Sequence, residues 1–167
     1  MKPVAVVGSG GAGKSTFARE LGRRTGIPVI HLDQHHWKPG WVAAAADERR
    51  AIQRDLLSGE AWIVDGNYGG TFDVRFGCAD TVIVLALPRV WCVVRVLRRT
   101  LEHHGRAVQA AGCPERLDLT SLKWVWRYPR DSRPRLDAAR HRYRANLRVI
   151  ELTSAARADR FLRDVAG

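Results

Sequence analysis

Lysine is scarce in this chain. Of its 28 basic residues only four are lysines (Lys2, Lys14, Lys38 and Lys123), so a lysine at a chemically demanding position stands out against a background of arginine. Cysteine is scarce as well. Cys78, Cys92 and Cys113 are odd in number and show no C-x-x-C spacing, which argues against a disulfide framework or a zinc site and for reduced thiols in a cytoplasmic protein. No uncharged apolar run reaches the roughly 18 residues that a membrane span requires, and no signal-peptide pattern precedes the first apolar segment. Internal repeats and low-complexity linkers are absent. Acidic residues number 17, leaving a net charge of +11. A disordered chain is excluded by the 46% apolar fraction, and 167 residues fit one domain with a sizeable core.

What is present is organised around Gly8-Ser9-Gly10-Gly11-Ala12-Gly13-Lys14-Ser15, a G-x-x-x-x-G-K-[ST] phosphate-binding loop. The apolar run Val4–Val7 before it reads as a buried strand. Ser15-Thr16-Phe17-Ala18-Arg19-Glu20-Leu21 after it reads as a helix. Glycines let successive backbone N–H groups point at phosphate oxygens. The following helix adds the positive end of its dipole, Lys14 a full charge, and the Ser15 hydroxyl a ligand for Mg²⁺. Gly8 to Thr16 are thus the candidate site for a nucleoside triphosphate, ATP or GTP, with Mg²⁺.

Further strands are expected at residues 27–32, 61–65, 80–87 and 147–152, and helices at about 44–58, 89–102, 135–144 and 155–165. In the 44–58 helix, Ala46, Ile52, Leu56 and Leu57 are candidate buried positions. In the 89–102 helix, Trp91, Val94, Leu97 and Leu101 form an apolar stripe, while Arg95, Arg98, Arg99 and Glu102 cluster on another face. Near-continuous apolar strands alternating with helices predict a parallel α/β sheet covered on both faces.

Strand ends on such a sheet share one edge, where ligands bind. Asp33, expected at the end of the second strand, is a candidate to accept the proton of an attacking hydroxyl or to bind the acceptor. Asp65, ending the third strand, is a candidate Mg²⁺-associated carboxylate; a strand-end Asp-Gly turn is the plain alternative. His31, His35 and His36 surround Asp33 without matching a zinc spacing, and are expected to line an acceptor pocket or to be solvated. Trp37 and Trp41 flank a Pro-Gly turn, either stacking on a planar acceptor such as a base or covering the sheet edge.

The positive charge is uneven: residues 1–86 carry 10 basic and 9 acidic side chains, residues 87–167 carry 18 and 8. Arg95 and Arg99 are candidates to stabilise a transferring phosphoryl group. Arg130, Arg133 and Arg135, in a proline-interrupted stretch, are candidates to close over a nucleotide. The interleaved Trp124, Trp126, Tyr128 and Tyr143 admit a second reading, nucleotide-regulated binding of DNA or RNA.

Taken together, Gly8–Ser15, His31-Leu32-Asp33 with Trp37-Lys38-Pro39-Gly40-Trp41, Trp62-Ile63-Val64-Asp65-Gly66-Asn67-Tyr68, and Trp124-Val125-Trp126-Arg127-Tyr128-Pro129 resemble the bacterial "DNA topology modulation protein" group, small P-loop proteins similar to adenylate kinase. The resemblance covers nearly the whole chain. It implies a three-layer sandwich with a five-stranded parallel sheet in order 2-3-1-4-5, a helical lid insertion at about residues 100–135, and Thr153-Ser154-Ala155 beside the base. On this reading the chain is a Mg²⁺-dependent phosphotransferase of the nucleotide-kinase type, a monomer or homodimer, with Asp33, Trp37, Asp65 and Asn67 toward a small-molecule or nucleotide acceptor. Adenylate kinases carry Asp-Gly-Phe-Pro-Arg after the third strand, the arginine holding the acceptor phosphate. Here the run is Asp-Gly-Asn-Tyr, and the next arginine is Arg75.

Overall fold

The computed structural model describes residues 2–165. Strand β1 (Val4–Gly8) runs into the glycine loop and then helix α1 (Lys14–Thr25). Next come β2 (Val29–His31), α2 (Leu32–His36), and a small antiparallel hairpin of β3 (Trp37–Lys38) and β4 (Val42–Ala43). Helix α3 (Ala46–Leu56), β5 (Ile63–Asp65), α4 (Phe72–Phe76) and β6 (Thr81–Leu85) follow. Helices α5 (Arg89–Glu102), α6 (Leu119–Asp131) and α7 (Arg133–Arg142) precede β7 (Arg148–Leu152) and α8 (Ala155–Val165). None of these helices is long and apolar enough to cross a membrane.

The main sheet has five parallel strands in the order β2-β5-β1-β6-β7, which among the long strands is 2-3-1-4-5. Side chains alternate across it. Val4, Val6, Ile63 and Ile83 face one layer with Phe17 and Leu21 of α1, Cys92 and Val96 of α5, and Leu162 of α8. Ala5, Val7, Val64 and Val82 face the other, with Trp62, Phe72, Phe76 and Leu136 of α7. β1 is buried at every residue because it has a paired strand on each side and helices on both faces. This three-layer α/β sandwich is the fold that the sequence reading anticipates.

Several expectations are corrected. The second strand stops at His31, so Asp33 lies in the first turn of α2 and not on a strand end. The Pro-Gly turn that Trp37 and Trp41 flank joins the two strands of the β3–β4 hairpin. Of the positions expected to be buried around α3, Leu57 is buried but Ala46 at the first turn is exposed, and within the helix it is Gln53 that is buried. On α5 the inward face is Cys92, Val96 and Thr100, whereas Trp91 is 62% exposed, Val94 47% and Leu101 80%. The reason is spatial: α5 rests on the glycine loop, where the Cys92 carbonyl leaves no room for a side chain on Gly11. Small and polar residues fit that contact, so hydrophobicity points to the wrong face. Pro129 does not interrupt the chain into a loop; α6 runs past it to Asp131, and Pro134 sits in the first turn of α7, where a missing N–H costs nothing.

Candidate active site

The loop between β1 and α1 has the geometry its glycines suggest. Gly8 has φ +147°, and a Cβ there would stand 2.5 Å from the Leu85 carbonyl oxygen of β6. Gly11 has φ +73°, and its Cβ would stand 2.2 Å from the Cys92 carbonyl oxygen. Only glycine meets both demands at these points. Gly10 through Thr16 line a cleft of about 1540 Å³. Gly8 and Ser9 do not; they form the floor behind it, with Ser9 buried. Lys14 Nζ donates to the Ser9 carbonyl at 2.8 Å. Burial lowers the Lys14 pKa, and the charges of Asp33 and Asp65 oppose that shift. Ser15 lines the cleft, and its hydroxyl makes no hydrogen bond among the described residues.

Parallel register sets His31 of β2 beside Asp65 of β5. His31 Nδ1 lies 2.8 Å from Asp65 Oδ1. This bond raises the His31 pKa against the opposing effect of burial. Asp65 is 3% exposed and does not line the cleft, whereas His31 does.

After Asp65 the chain turns through Gly66-Asn67-Tyr68. The turn is held by Arg75 of α4, whose Nη1 and Nη2 each donate at 2.6 Å, to the Gly66 and Tyr68 carbonyls. Its guanidinium carbon stands 4.9 Å from the centre of the Phe72 ring. Arg75 is fully buried, which pushes its pKa down to about 10. It therefore cannot hold an acceptor phosphate; it shapes the turn that does face the cleft. The Tyr68 hydroxyl donates to Asp33 Oδ1. Asn67 Oδ1 accepts from the Tyr128 hydroxyl at 3.0 Å, tying α6 to the same turn. Asp33, Trp37 and Asn67 all line the cleft.

Above the loop, Arg95 and Arg99 of α5 also line the cleft. Arg95 Nη1 lies 3.6 Å from the point where a Cβ on Gly13 would stand. Arg99 Nε lies 3.4 Å from Oε1 of the buried Glu115. The Glu115 carboxylate also accepts from Gln109 at 2.6 Å, so it binds the 103–118 connection to α5. Ala155 and Leu162 of α8 also line the cleft.

The structure does not bring Arg130 and Arg133 to the cleft. Arg130 lies in a shallow depression of about 290 Å³ with Arg89 and Trp126. Arg133 is committed to Asp137 at 2.9 Å and to Glu151 of β7 at 2.9 and 3.0 Å. Arg135, from the same stretch, does line the cleft. Sequence reasoning passed over Tyr68, Arg75 and Glu115 as site residues. Spacing to Asp65 gives a signal for Tyr68, but nothing local distinguishes Arg75 or Glu115 from surface charge.

No family model matches the chain. The uncharacterized protein YqaC of Bacillus subtilis (strain 168) is 28% identical over 131 residues, spanning 76% of this chain and 72% of its own. Among solved structures, the shikimate kinase of Acinetobacter baumannii superposes with a TM-score of 0.62 at 15% identity, over 99% of this chain and 90% of that one. A protein of Chloroflexus aurantiacus J-10-fl, provisionally described as a kinase, superposes with a TM-score of 0.53 at 15% identity, over 99% and 97%. The fold is therefore that of the P-loop kinases.

Proposed function

We propose that this chain is a Mg²⁺-dependent phosphotransferase that moves the γ-phosphoryl group of ATP or GTP to a hydroxyl of a small molecule or nucleotide. One observation carries the reading: the phosphate loop with Lys14 and Ser15 opens into a cleft that is also lined by Asp33, held by the Tyr68 hydroxyl. The cleft, at about 1540 Å³, exceeds the roughly 300–1,000 Å³ of a single ligand pocket, so it accommodates two ligands together. A shikimate kinase whose structure holds shikimate is similar to nearly the whole chain, in keeping with a small-molecule acceptor.

The residues fit a hard divalent cation. Ser15 lines the cleft and its hydroxyl has no hydrogen-bond partner among the described residues, and the buried Asp65 carboxylate on the adjacent strand has one oxygen held by His31. Ser15 and Asp65, directly or through water, would hold it. A divalent cation held there would supply neutralisation of charge on the phosphate oxygens. The chain's own groups do the rest. Backbone N–H groups of Gly10 to Thr16 grip the phosphates, and Lys14, Arg95 and Arg99 stabilise the negative charge that builds on the leaving oxygen. Asp33 takes the proton as the acceptor oxygen bonds to the γ-phosphorus and the bond to the β–γ bridging oxygen breaks. Ala155 and Leu162 flank the base.

Calorimetric titration of the protein with MgATP and MgGTP, followed by transfer assays with labelled nucleotide, tests this. Binding that is lost in Lys14→Ala, together with transfer beyond slow hydrolysis, is the expected result. Absence of triphosphate binding overturns it.

The second reading, membership of the DNA topology modulation group with nucleic-acid binding, keeps one aromatic platform. Trp126 is 45% exposed beneath Arg89, whose guanidinium carbon is 4.1 Å from the ring centre. Tyr128 is buried, Tyr143 packs on the core and Trp124 lines the cleft. Salt-dependent binding of single-stranded DNA, lost in Trp126→Ala, would favour it.

A further inference from the structure

Trp41 holds a backbone conformation that a bulky side chain rarely adopts. Its φ is +63°, and among the described residues it is the one non-glycine residue with positive φ. Such strain persists where surrounding contacts fix it, and it concentrates at ligand sites. Here one contact comes from outside the hairpin and one from within it. The Trp41 indole Nε1 donates to the Pro114 carbonyl at 2.9 Å, and its ring meets Trp37 edge to face, with centroids 5.5 Å apart at 72°. The β3–β4 hairpin pairs only two residues per strand, too little to stand alone. It is fastened to residues 112–114 by Gly40 N–H to the Gly112 carbonyl at 2.9 Å and by Cys113 Sγ to the Lys38 carbonyl at 3.3 Å. Gly112 packs so closely that a Cβ would stand 2.8 Å from Pro39 Cβ.

Both indoles are half-exposed and line the cleft together with Asp33. Two aromatic faces at a steep angle form a corner. A flat ring lying on one of them turns its electropositive edge toward the other, the arrangement aromatic groups favour. A saturated, puckered ring gives up much of that dispersion contact. Resting on the phosphotransferase reading above, we infer that the acceptor is a planar-ring alcohol of the nucleoside class. Its base occupies the Trp37–Trp41 corner, its sugar hydroxyl reaches Asp33, and the 112–114 segment sets the corner by holding Trp41 in place.

The test is a calorimetric titration of the full chain, with and without Mg²⁺ and a non-hydrolysable ATP analogue. The ligands are adenosine, guanosine, cytidine and thymidine, set against glucose and myo-inositol. At least one nucleoside is expected to bind tenfold or more tighter than either polyol. Trp41→Ala should weaken that nucleoside at least tenfold while leaving affinity for the ATP analogue within twofold. Trp41→Phe should retain part of the affinity, since it keeps a ring but not the donor to Pro114. Gly112→Ala, which alters no indole, should weaken the nucleoside by displacing the hairpin. The proposal is overturned if the polyols bind as well as every nucleoside, or if a folded Trp41→Ala, checked by circular dichroism, binds the nucleoside within twofold of the parent chain. Loss of binding by the ATP analogue alone would instead refute the triphosphate site, because the nucleoside titration without it still reports on the corner.

Discussion

The Tyr68 hydroxyl donates to the Asp33 carboxylate across a gap of 35 residues in sequence, joining the turn after β5 to the first turn of α2. Burial, and then the Asp33 charge, raise the Tyr68 pKa, so the phenol keeps its proton and remains a donor at any ordinary pH. One Asp33 oxygen is thereby fixed. Tyr68→Phe removes that constraint without removing the ring. We expect a stability loss of about 1 kcal/mol and a fall of roughly 10- to 100-fold in kcat, with the KM for the triphosphate within twofold. Steady-state kinetics check it. An unchanged kcat would mean that the bond serves packing alone.

Arg75 holds the same turn from beneath. Replacing it with Met relieves a buried cation but leaves the Gly66 and Tyr68 carbonyls without their donors. The second effect should win, by about 2 kcal/mol, which for a chain of this size lowers Tm by roughly 4–8 °C. Arg75→Lys should do little better, because one ammonium cannot reproduce the two-pronged fork. Thermal melts of the two variants decide it, and a Lys variant as stable as the parent would count against the fork.

Gly11 and Gly26 provide a matched pair. Both have positive φ, +73° and +71°. A Cβ on Gly26 meets nothing within 4 Å, whereas one on Gly11 stands 2.2 Å from a backbone carbonyl oxygen. Gly26→Ala should therefore cost only the left-handed strain, about 1–2 kcal/mol, with triphosphate affinity unchanged. Gly11→Ala must also push α5 away from the loop. It should weaken triphosphate binding by 100-fold or more in the same calorimetric assay.

The contrast between these glycines shows what was legible in sequence and what was not. The loop motif sits between an apolar strand and a helix, and local spacing is enough to read it. The parallel direction of the strands follows from apolar runs alternating with helices, whereas their order across the sheet comes from the family resemblance. Asp33 lines the cleft, but from α2 and not from a strand end, because a five-residue helix leaves little periodic trace in sequence. The face of α5 was misread because its inner side meets backbone, where Cys92 and Thr100 fit and Trp91 does not. Arg75 and Glu115 were missed because their partners are carbonyls and groups remote in sequence. Arg133 was misassigned for the converse reason: its partner Glu151 lies on β7, and no local pattern announces that pairing.

Two histidines near Asp33 should pull stability in opposite directions with pH. His36 is buried against Tyr68, with ring centroids 4.1 Å apart, and its Nδ1 has no hydrogen-bond partner among the described residues. Burial, and then Arg49, lower its pKa below the ordinary 6.5, against a smaller opposing effect of Asp33. The unfolded chain thus takes up this proton first as pH falls below 6.5, and stability drops until the folded pKa is passed. His31 has its pKa raised above 6.5 by Asp65. Its contribution is fully present below 6.5 and is lost as pH rises through the folded value. Melting curves from about pH 5 to 8 should therefore show His36→Phe gaining on the parent chain toward the acid end. His31→Asn should lose ground there and converge with the parent at the alkaline end. Parallel curves for parent and variants would mean that neither imidazole changes its proton affinity on folding.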